Sequence, residues 1–204
     1  MSIASVDAAD ALDRRLRRLQ RTGTRIEQVA QGGSLVRADL EALYEGLYIG
    51  AITNFEQFVA DLFSGILLGQ VIYASRRRVV PRVDVKSSVV LTPLLNAGRP
   101  YVDWLPYRLT EERASTYFRG GRPFADVVPV EKQRMERWLW TRNAIAHASP
   151  HSNRVFVGQV IAGTPLPPRE RTPAGFLRSE IRAGVTRFEN VLDEMRGVAA
   201  TLCA

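Results

Sequence analysis

The sequence is poor in the residue types that build disulfides and metal sites. Its 204 residues contain one cysteine, Cys203, so an internal disulfide or a cysteine metal cluster is excluded. A reducing, cytoplasmic compartment is therefore expected. Histidine occurs only at positions 147 and 151, and Pro150 between them is expected to break the helix and to leave His151 in a loop. We expect no metal and no other cofactor.

Lysine is also scarce. Of the 28 basic residues only Lys86 and Lys132 are lysine, so the other 26 are arginine, and the formal net charge is +7. Arginine holds phosphate oxygens in a bidentate fork, so this excess favours a nucleic acid as partner. The codon usage of a G+C-rich genome produces the same bias, and composition alone leaves both explanations open.

Long uninterrupted apolar runs are absent. The most apolar stretch, 47–73, is interrupted by polar groups that a lipid-facing helix would not tolerate, namely Asn54, Glu56, Gln57, Asp61 and Gln70. Near the amino terminus, Asp7 and Asp10 interrupt the apolar core that a secretory leader needs. We therefore expect no membrane segment and no leader.

What the chain has is helical periodicity, which predicts an all-α fold of four to five helices. Apolar residues recur every three to four positions over 7–30, 35–68, 110–118, 129–148 and 177–202. Valines and prolines predict an irregular or short β insert at about 74–108. A proline-rich loop is expected at about 150–173, with a strand at 155–161. No long linker divides the chain, so residues 1–204 are expected to form a single domain.

The helix predicted over 129–148 carries the residues best suited to chemistry. Arg142, Asn143 and His147 lie within two turns, and Asn143 and His147 are four positions apart, which makes their side chains neighbours. An imidazole moves a proton near neutral pH, and a guanidinium holds phosphate oxygens. This set suits phosphate-ester chemistry.

The same helix predicts an unusual position for Arg142. Its buried stripe is expected to comprise Met135, Trp138, Leu139, Ile145 and Ala146. At roughly 100° per residue, Arg142 falls about 20° from Met135, inside that stripe. A charge there requires a partner carboxylate or a wet seam. The spacing alone therefore leaves a structural alternative open, in which Arg142 forms a buried ion pair with Glu45 or Glu56 and His147 has no chemical role.

The motif resembles the signature of the HEPN superfamily (higher eukaryotes and prokaryotes nucleotide-binding domains). That signature is an arginine, a polar residue, a few further positions and a histidine near the end of a helix, as in 142–147 here. The upstream segment 51–58, with Phe55 and Glu56, is similar to an early helix of the small prokaryotic RiboL-PSP-HEPN-like proteins. The resemblance covers roughly 35–148.

The resemblance implies a HEPN-like helical bundle that dimerises and joins two motifs in one composite active site. It implies a metal-independent endoribonuclease in which His147 handles the proton of the ribose 2′-hydroxyl or the leaving 5′-oxygen. Arg142 would stabilise the phosphorane-like transition state, and Asn143 would orient the histidine or bind a phosphate oxygen. Glu56 would position Arg142. The products would carry a 2′,3′-cyclic phosphate and a 5′-hydroxyl.

The expected partners follow from this reading. RNA is the expected substrate, with contacts expected from Arg76, Arg77, Arg78 and Arg154. A toxin or anti-phage defence role implies a neutralising or sensor protein. One related HEPN toxin group has tyrosine two residues after the histidine, where this chain has Ser149, so pairing with the nucleotidyltransferase antitoxin of that group is not implied. The alternative functions are a non-catalytic HEPN scaffold that binds nucleic acid or nucleotide, and a purely structural helical dimer.

Overall fold

The structure is a computed structural model that describes residues 2–73 and 79–204. It is 71% helical, in agreement with the predicted all-α class. Within the described ranges the α-helices are α1 (Ser5–Gln31), α2 (Arg37–Leu67), α3 (Ser88–Asn96), α4 (Tyr107–Tyr117), α5 (Pro129–His147), α6 (Pro150–Phe156), α7 (Pro173–Arg178) and α8 (Arg187–Cys203). The strands there are β1 (Ile3–Ala4), β2 (Val71–Ile72), β3 (Glu180–Arg182) and β4 (Val185–Thr186). None of these helices is long and apolar enough to cross a membrane.

The chain divides into two compact units. The first consists of residues 1–13, 55–135 and 196–204, and the second of residues 14–54 and 136–195. Each unit includes one part of every long helix, α1, α2, α5 and α8. The single-domain expectation stays a prediction.

The first unit is packed around Phe63, which is fully buried. Its ring centroid lies 5.1 Å from that of Trp104, 4.8 Å from Phe118 and 5.0 Å from Phe124. Strand β1 pairs with β2 in parallel, with Ile3 opposite Val71. Aromatic side chains bury large apolar areas, so this cluster supplies much of the unit's stability.

The second unit buries Tyr44 against Phe188, with the ring centroids 5.9 Å apart and edge to face. The backbone of α1 lies close to the side chains of Leu47 and Phe188 at Gly23, where an added Cβ atom would lie 3.6 Å from Leu47 and 3.7 Å from Phe188. Phe156 of α6 meets Phe176 of α7 at 5.7 Å. This apolar core supports the carboxyl-terminal half of α5, which carries the predicted motif.

The predicted helices 7–30, 35–68, 110–118 and 129–148 are confirmed as α1, α2, α4 and α5, with ends shifted by at most three residues. Three further helices of at most nine residues, α3, α6 and α7, raise the number in the described ranges above the four to five predicted. The expectation of an irregular or short β insert at about 74–108 is wrong at α3. Leu91 and Leu95 lie four positions apart and are both buried, and this burial outweighs the internal Pro93.

The expected loop at 150–173 is also largely helical. Pro150 begins α6 at the first helical position, where the missing N–H has no cost, so His151 lies on a helix and not in a loop. A π-helical turn over Val157–Ile161 follows in place of the predicted strand. The side chain of Ser149 accepts the N–H of Ser152, which gives α6 the cap that outweighs the proline-rich context.

The final helix predicted over 177–202 is divided. Helix α7 ends at Arg178, the antiparallel pair β3–β4 follows, and α8 begins only at Arg187. Gly184 adopts a φ of 72° in the turn between the strands, a conformation that glycine accepts without steric cost. The apolar periodicity continues through this interruption in the sequence, which is why the prediction was wrong there.

Candidate functional site

The motif lies at the exposed carboxyl-terminal end of α5. His147 is the last residue of the helix and is exposed to solvent, whereas Arg142 and Asn143 are half-buried. The guanidinium Nη1 of Arg142 donates a hydrogen bond of 3.1 Å to Oδ1 of Asn143. The Asn143 side chain thus points at the arginine. This bond holds the guanidinium close to the helix, and the imidazole of His147 stays accessible to solvent.

The end of α5 is set by a sharp corner. Ala148 has a φ of 43°, in the left-handed region that terminates helices, and its N–H donates to the carbonyl of Ala144 at 3.2 Å. Ser149 and Ser152 then cap α6 reciprocally, each backbone N–H donating to the other hydroxyl at 3.1 Å. Two residues therefore separate His147 from the start of the next helix.

The predicted buried stripe of α5 is only partly correct. Met135 and Trp138 are buried as expected, but Leu139 and Ile145 are half-buried and Ala146 is exposed. The residues buried along the helix are Met135, Trp138, Thr141 and Ala144. Their spacing of three residues, shorter than a turn of 3.6, makes the stripe rotate around the helix and leaves Arg142 at its margin.

The second unit contains no buried ion pair between Arg142 and Glu45. Within that unit no carboxylate pairs with Arg142, although Glu45 belongs to it. Burial, together with the neighbouring Glu41, raises the pKa of the Glu45 carboxyl above its ordinary value of 4.5, a shift that an arginine partner would oppose. Arg142 thus keeps donor groups available for a ligand.

The other predicted site residues have different positions. Glu56 is half-buried on α2 in the first unit. Arg154 is exposed on α6, a few residues after the corner. Arg76, Arg77 and Arg78 lie outside the described residues.

Trp138 anchors the motif helix in the second unit. Its indole Nε1 donates to Glu194 of α8 at 2.9 Å, and its backbone carbonyl accepts the hydroxyl of Tyr48 at 2.9 Å. Tyr48 is fully buried, and burial raises its pKa far above the ordinary range. These bonds fix the rotation of α5 about its axis, which determines the face on which Arg142 and Asn143 lie.

Sequence reasoning missed a polar cavity of about 540 Å³ in the second unit. Arg178 donates two hydrogen bonds to Glu27 across its wall, at 2.9 and 3.2 Å. Burial alone would raise the pKa of Glu27, but the bonds from Arg178 and Tyr44 outweigh it and lower the pKa. On another wall Arg37 pairs with Glu41 at 2.7 Å. The paired residues are up to 151 positions apart, so no local motif signals this cavity.

Alanines and a helix corner surround the motif. In the described part of the chain, no set of three or more histidine, cysteine, aspartate or glutamate residues could hold a metal ion. Comparisons with protein-family models, curated proteins and solved structures found no match for this chain.

Proposed function

We propose that this protein is a metal-independent endoribonuclease of the HEPN type, with Arg142, Asn143 and His147 as its catalytic residues. One observation carries the proposal. An exposed imidazole ends α5 one turn after Asn143, which is hydrogen-bonded to Arg142. The proton-transfer group and the phosphate-binding group thus lie within two turns of one helix, next to an open surface.

The proposed reaction needs only protein groups. The ribose 2′-hydroxyl oxygen attacks the adjacent phosphorus, its proton passes to an imidazole, and the bond from phosphorus to the 5′-oxygen breaks. A second group protonates that leaving oxygen. The products are a 2′,3′-cyclic phosphate and a 5′-hydroxyl. Arg142 stabilises the negative charge on the phosphoryl oxygens, and Asn143 keeps the guanidinium in place.

This proton balance favours a composite site. One motif supplies a single imidazole, whereas the reaction needs both a base and an acid. A second copy of the chain brings a second His147. The exposure of Ala146, His147 and Ala148 supports this arrangement, because small side chains let another backbone approach the histidine closely. A toxin or defence role, with a neutralising or sensor protein, is part of the proposal and rests on the family resemblance.

The second candidate function is a non-catalytic scaffold dimer that binds nucleic acid or nucleotide. The observation that favours it is the half-exposed Arg142, which has no carboxylate partner in its unit and can bind a phosphate without any proton transfer. The two functions differ in their products, since only the nuclease generates 2′,3′-cyclic ends.

Cleavage of several RNAs in the presence of EDTA tests the proposal. We expect His147→Ala to reduce cleavage by about 100- to 10,000-fold, the usual contribution of one acid–base group. Arg142→Ala should reduce it by about 100- to 1,000-fold, the usual loss for one donor that stabilises transition-state charge. His151→Ala is the matched control, since it removes the only other histidine from an exposed position on α6 and should leave the rate unchanged. Mass spectrometry of the fragments should find 2′,3′-cyclic phosphates.

Two results would overturn the proposal. Wild-type protein that leaves all RNA types intact in EDTA excludes the nuclease, and RNA binding in that case supports the scaffold. Light scattering tests the composite site separately. We expect a dimer for the wild type and for both inactive variants, whereas a monomer that cleaves RNA excludes a shared site.

A further inference from the structure

The middle of helix α1, residues 14–25, carries a dense group of exposed positive charges. Between positions 14 and 25 all six arginines are exposed and no acidic residue occurs: Arg14, Arg15, Arg17, Arg18, Arg21 and Arg25. These six charges compare with a formal net charge of +7 for all 204 residues. The remainder of the chain is therefore close to neutral, which a uniform codon bias does not explain.

Four of these residues form a line, which we call the arginine stripe: Arg14, Arg18, Arg21 and Arg25. At 3.6 residues per turn their Cα atoms fall within about 60° of one another around the helix axis. At 1.5 Å per residue the stripe is about 16 Å long. The buried side of α1, with Leu16, Gly23 and Ile26, lies on the opposite face, so the stripe points to solvent.

The stripe is not neutralised within the described chain. The nearest acidic residues before and after it in α1 pair elsewhere, Asp13 with Arg196 at 2.8 Å and Glu27 with Arg178. No ion pair joins a stripe guanidinium to any carboxylate in residues 2–73 or 79–204. A surface groove of about 420 Å³ runs along the same part of the helix, lined by Arg14, Arg17, Arg18, Gln20 and Arg21.

We propose that the arginine stripe binds the phosphate backbone of single-stranded RNA. Four aligned guanidinium groups repel one another, and a polyanion relieves that repulsion while it releases its own counterions. The choice of RNA rests on the proposed function. Residues 14–25 contain no aromatic side chain on which bases could stack, so the stripe reads the backbone and is indifferent to sequence.

The composition of the exposed face argues against a lipid surface. Helices that lie on membranes flank their basic residues with exposed apolar side chains that enter the bilayer. Every exposed position of α1 between 14 and 25 is arginine or threonine, and the exposed large apolar residues of the helix, Val6 and Val29, lie beyond the two ends of the stripe. The stripe therefore has the charge for an anionic membrane but lacks the apolar residues that would hold it there.

The test compares three quadruple variants in the His147→Ala background, so that the probe stays intact. The first changes Arg14, Arg18, Arg21 and Arg25 to glutamine. The second changes the same residues to lysine, which keeps the charge. The third, with the same loss of charge, changes four exposed arginines outside the stripe to glutamine: Arg82, Arg99, Arg119 and Arg182. Arginine, lysine and glutamine have similar helix propensities, so we expect unchanged circular dichroism.

Binding of a labelled single-stranded RNA is measured by fluorescence anisotropy over a range of salt concentrations. Each phosphate contact contributes about 0.7 to the slope of log K against log salt for single strands, so the stripe glutamine variant should lose about 2.8 from that slope. Its affinity deficit relative to the parent should then shrink by about 50-fold between 50 and 200 mM salt. The lysine variant and the scattered control should keep the parental slope.

Each of four outcomes would overturn the proposal: equal loss in the scattered control, an unchanged slope in the stripe variant, stripe-dependent binding of anionic vesicles without RNA binding, or tighter stripe-dependent binding of single-stranded DNA than of RNA. The result is separable from the proposed function. If the wild type does not cleave RNA but the stripe glutamine variant binds RNA more weakly than its parent, the stripe is supported and the nuclease is excluded. If the wild type cleaves RNA and the stripe glutamine variant binds RNA as tightly as its parent, the nuclease is supported and the stripe is excluded.

Discussion

The two units bury their aromatic side chains in different ways. In the first unit Phe63 lies against Trp104, Phe118 and Phe124 in a cluster of ring contacts. In the second unit the aromatic groups also donate hydrogen bonds to carboxylates, as Trp138 does to Glu194. The packing of aromatic side chains in the first unit is therefore stabilised by buried apolar area and by the fit of the rings. In the second unit it is stabilised in addition by hydrogen bonds whose strength depends on the charge of the carboxylates. The candidate motif lies in the second, charge-dependent unit.

The largest expected effect comes from removing the centre of the aromatic cluster. Phe63→Ala should lower the free energy of unfolding by about 3–5 kcal/mol, because it removes a buried ring and leaves a cavity. Urea denaturation followed by circular dichroism measures this loss. Val89→Ala in the same unit is the control, since Val89 is 81% exposed and its change should stay within about 0.5 kcal/mol. Equal losses in the two variants would contradict an aromatic core.

A smaller effect is expected where backbones approach closely in the second unit. A Cβ atom at Gly175 would lie 2.5 Å from the carbonyl oxygen of Arg169, so Gly175→Ala should cost about 1–3 kcal/mol. Gly46→Ala is the matched control, because Gly46 lies in α2 with nothing within 4 Å. That change should stabilise the protein by about 0.5–1 kcal/mol. Melting temperatures that move in the same direction for both variants would contradict the close approach.

The smallest effect tests the charge dependence of the second unit. The pKa of Glu27 is lowered, because bonds from Arg178 and Tyr44 outweigh burial, so its contribution to stability is present above pH 4.5 and is lost as the pH falls below that value. The pKa of Glu45 is raised by burial and by Glu41, so its ionisation opposes folding at neutral pH. We expect Glu27→Gln to destabilise and Glu45→Gln to stabilise the protein at pH 7, each by less than about 1 kcal/mol because both groups are partly exposed.

The two glutamine variants should converge with the wild type in acid. The difference for Glu45→Gln shrinks first, as the pH falls through the raised pKa of Glu45, and the difference for Glu27→Gln shrinks only below pH 4.5. Urea denaturation at several pH values measures both. Shifts of the same sign at pH 7 would contradict the opposite environments of the two carboxyls.

The sequence predicted the long helices well because each repeats its apolar positions for many turns. Helices α1, α2 and α5 begin and end within two residues of the predicted limits. The short helices were missed where tertiary burial overrides local signals, as at α3, where Leu91 and Leu95 are buried despite Pro93. The break between α7 and α8 was missed because apolar spacing continues through the β3–β4 turn.

At the candidate site the sequence identified the residue types but not their surroundings. Arg142, Asn143 and His147 lie on one helix as predicted, because six consecutive helical residues fix their spacing. The burial of that helix was predicted wrongly because its buried residues recur every three positions, so the buried stripe winds around the helix axis. The prediction assumed a stripe that runs straight along the helix. The bond between Arg178 and Glu27 joins residues 151 positions apart, a distance over which periodicity carries no information.

The corner between α5 and α6 has a consequence for the entropy of ligand binding. A histidine on a long loop would have to be ordered when a substrate arrives, and each ordered backbone residue costs about 1–2 kcal/mol. Here the backbone of His147 is already held by the left-handed Ala148 and by the reciprocal bonds of Ser149 and Ser152. Only the imidazole rotamer remains to be selected, so most of the interaction energy at this surface is available for holding the ligand.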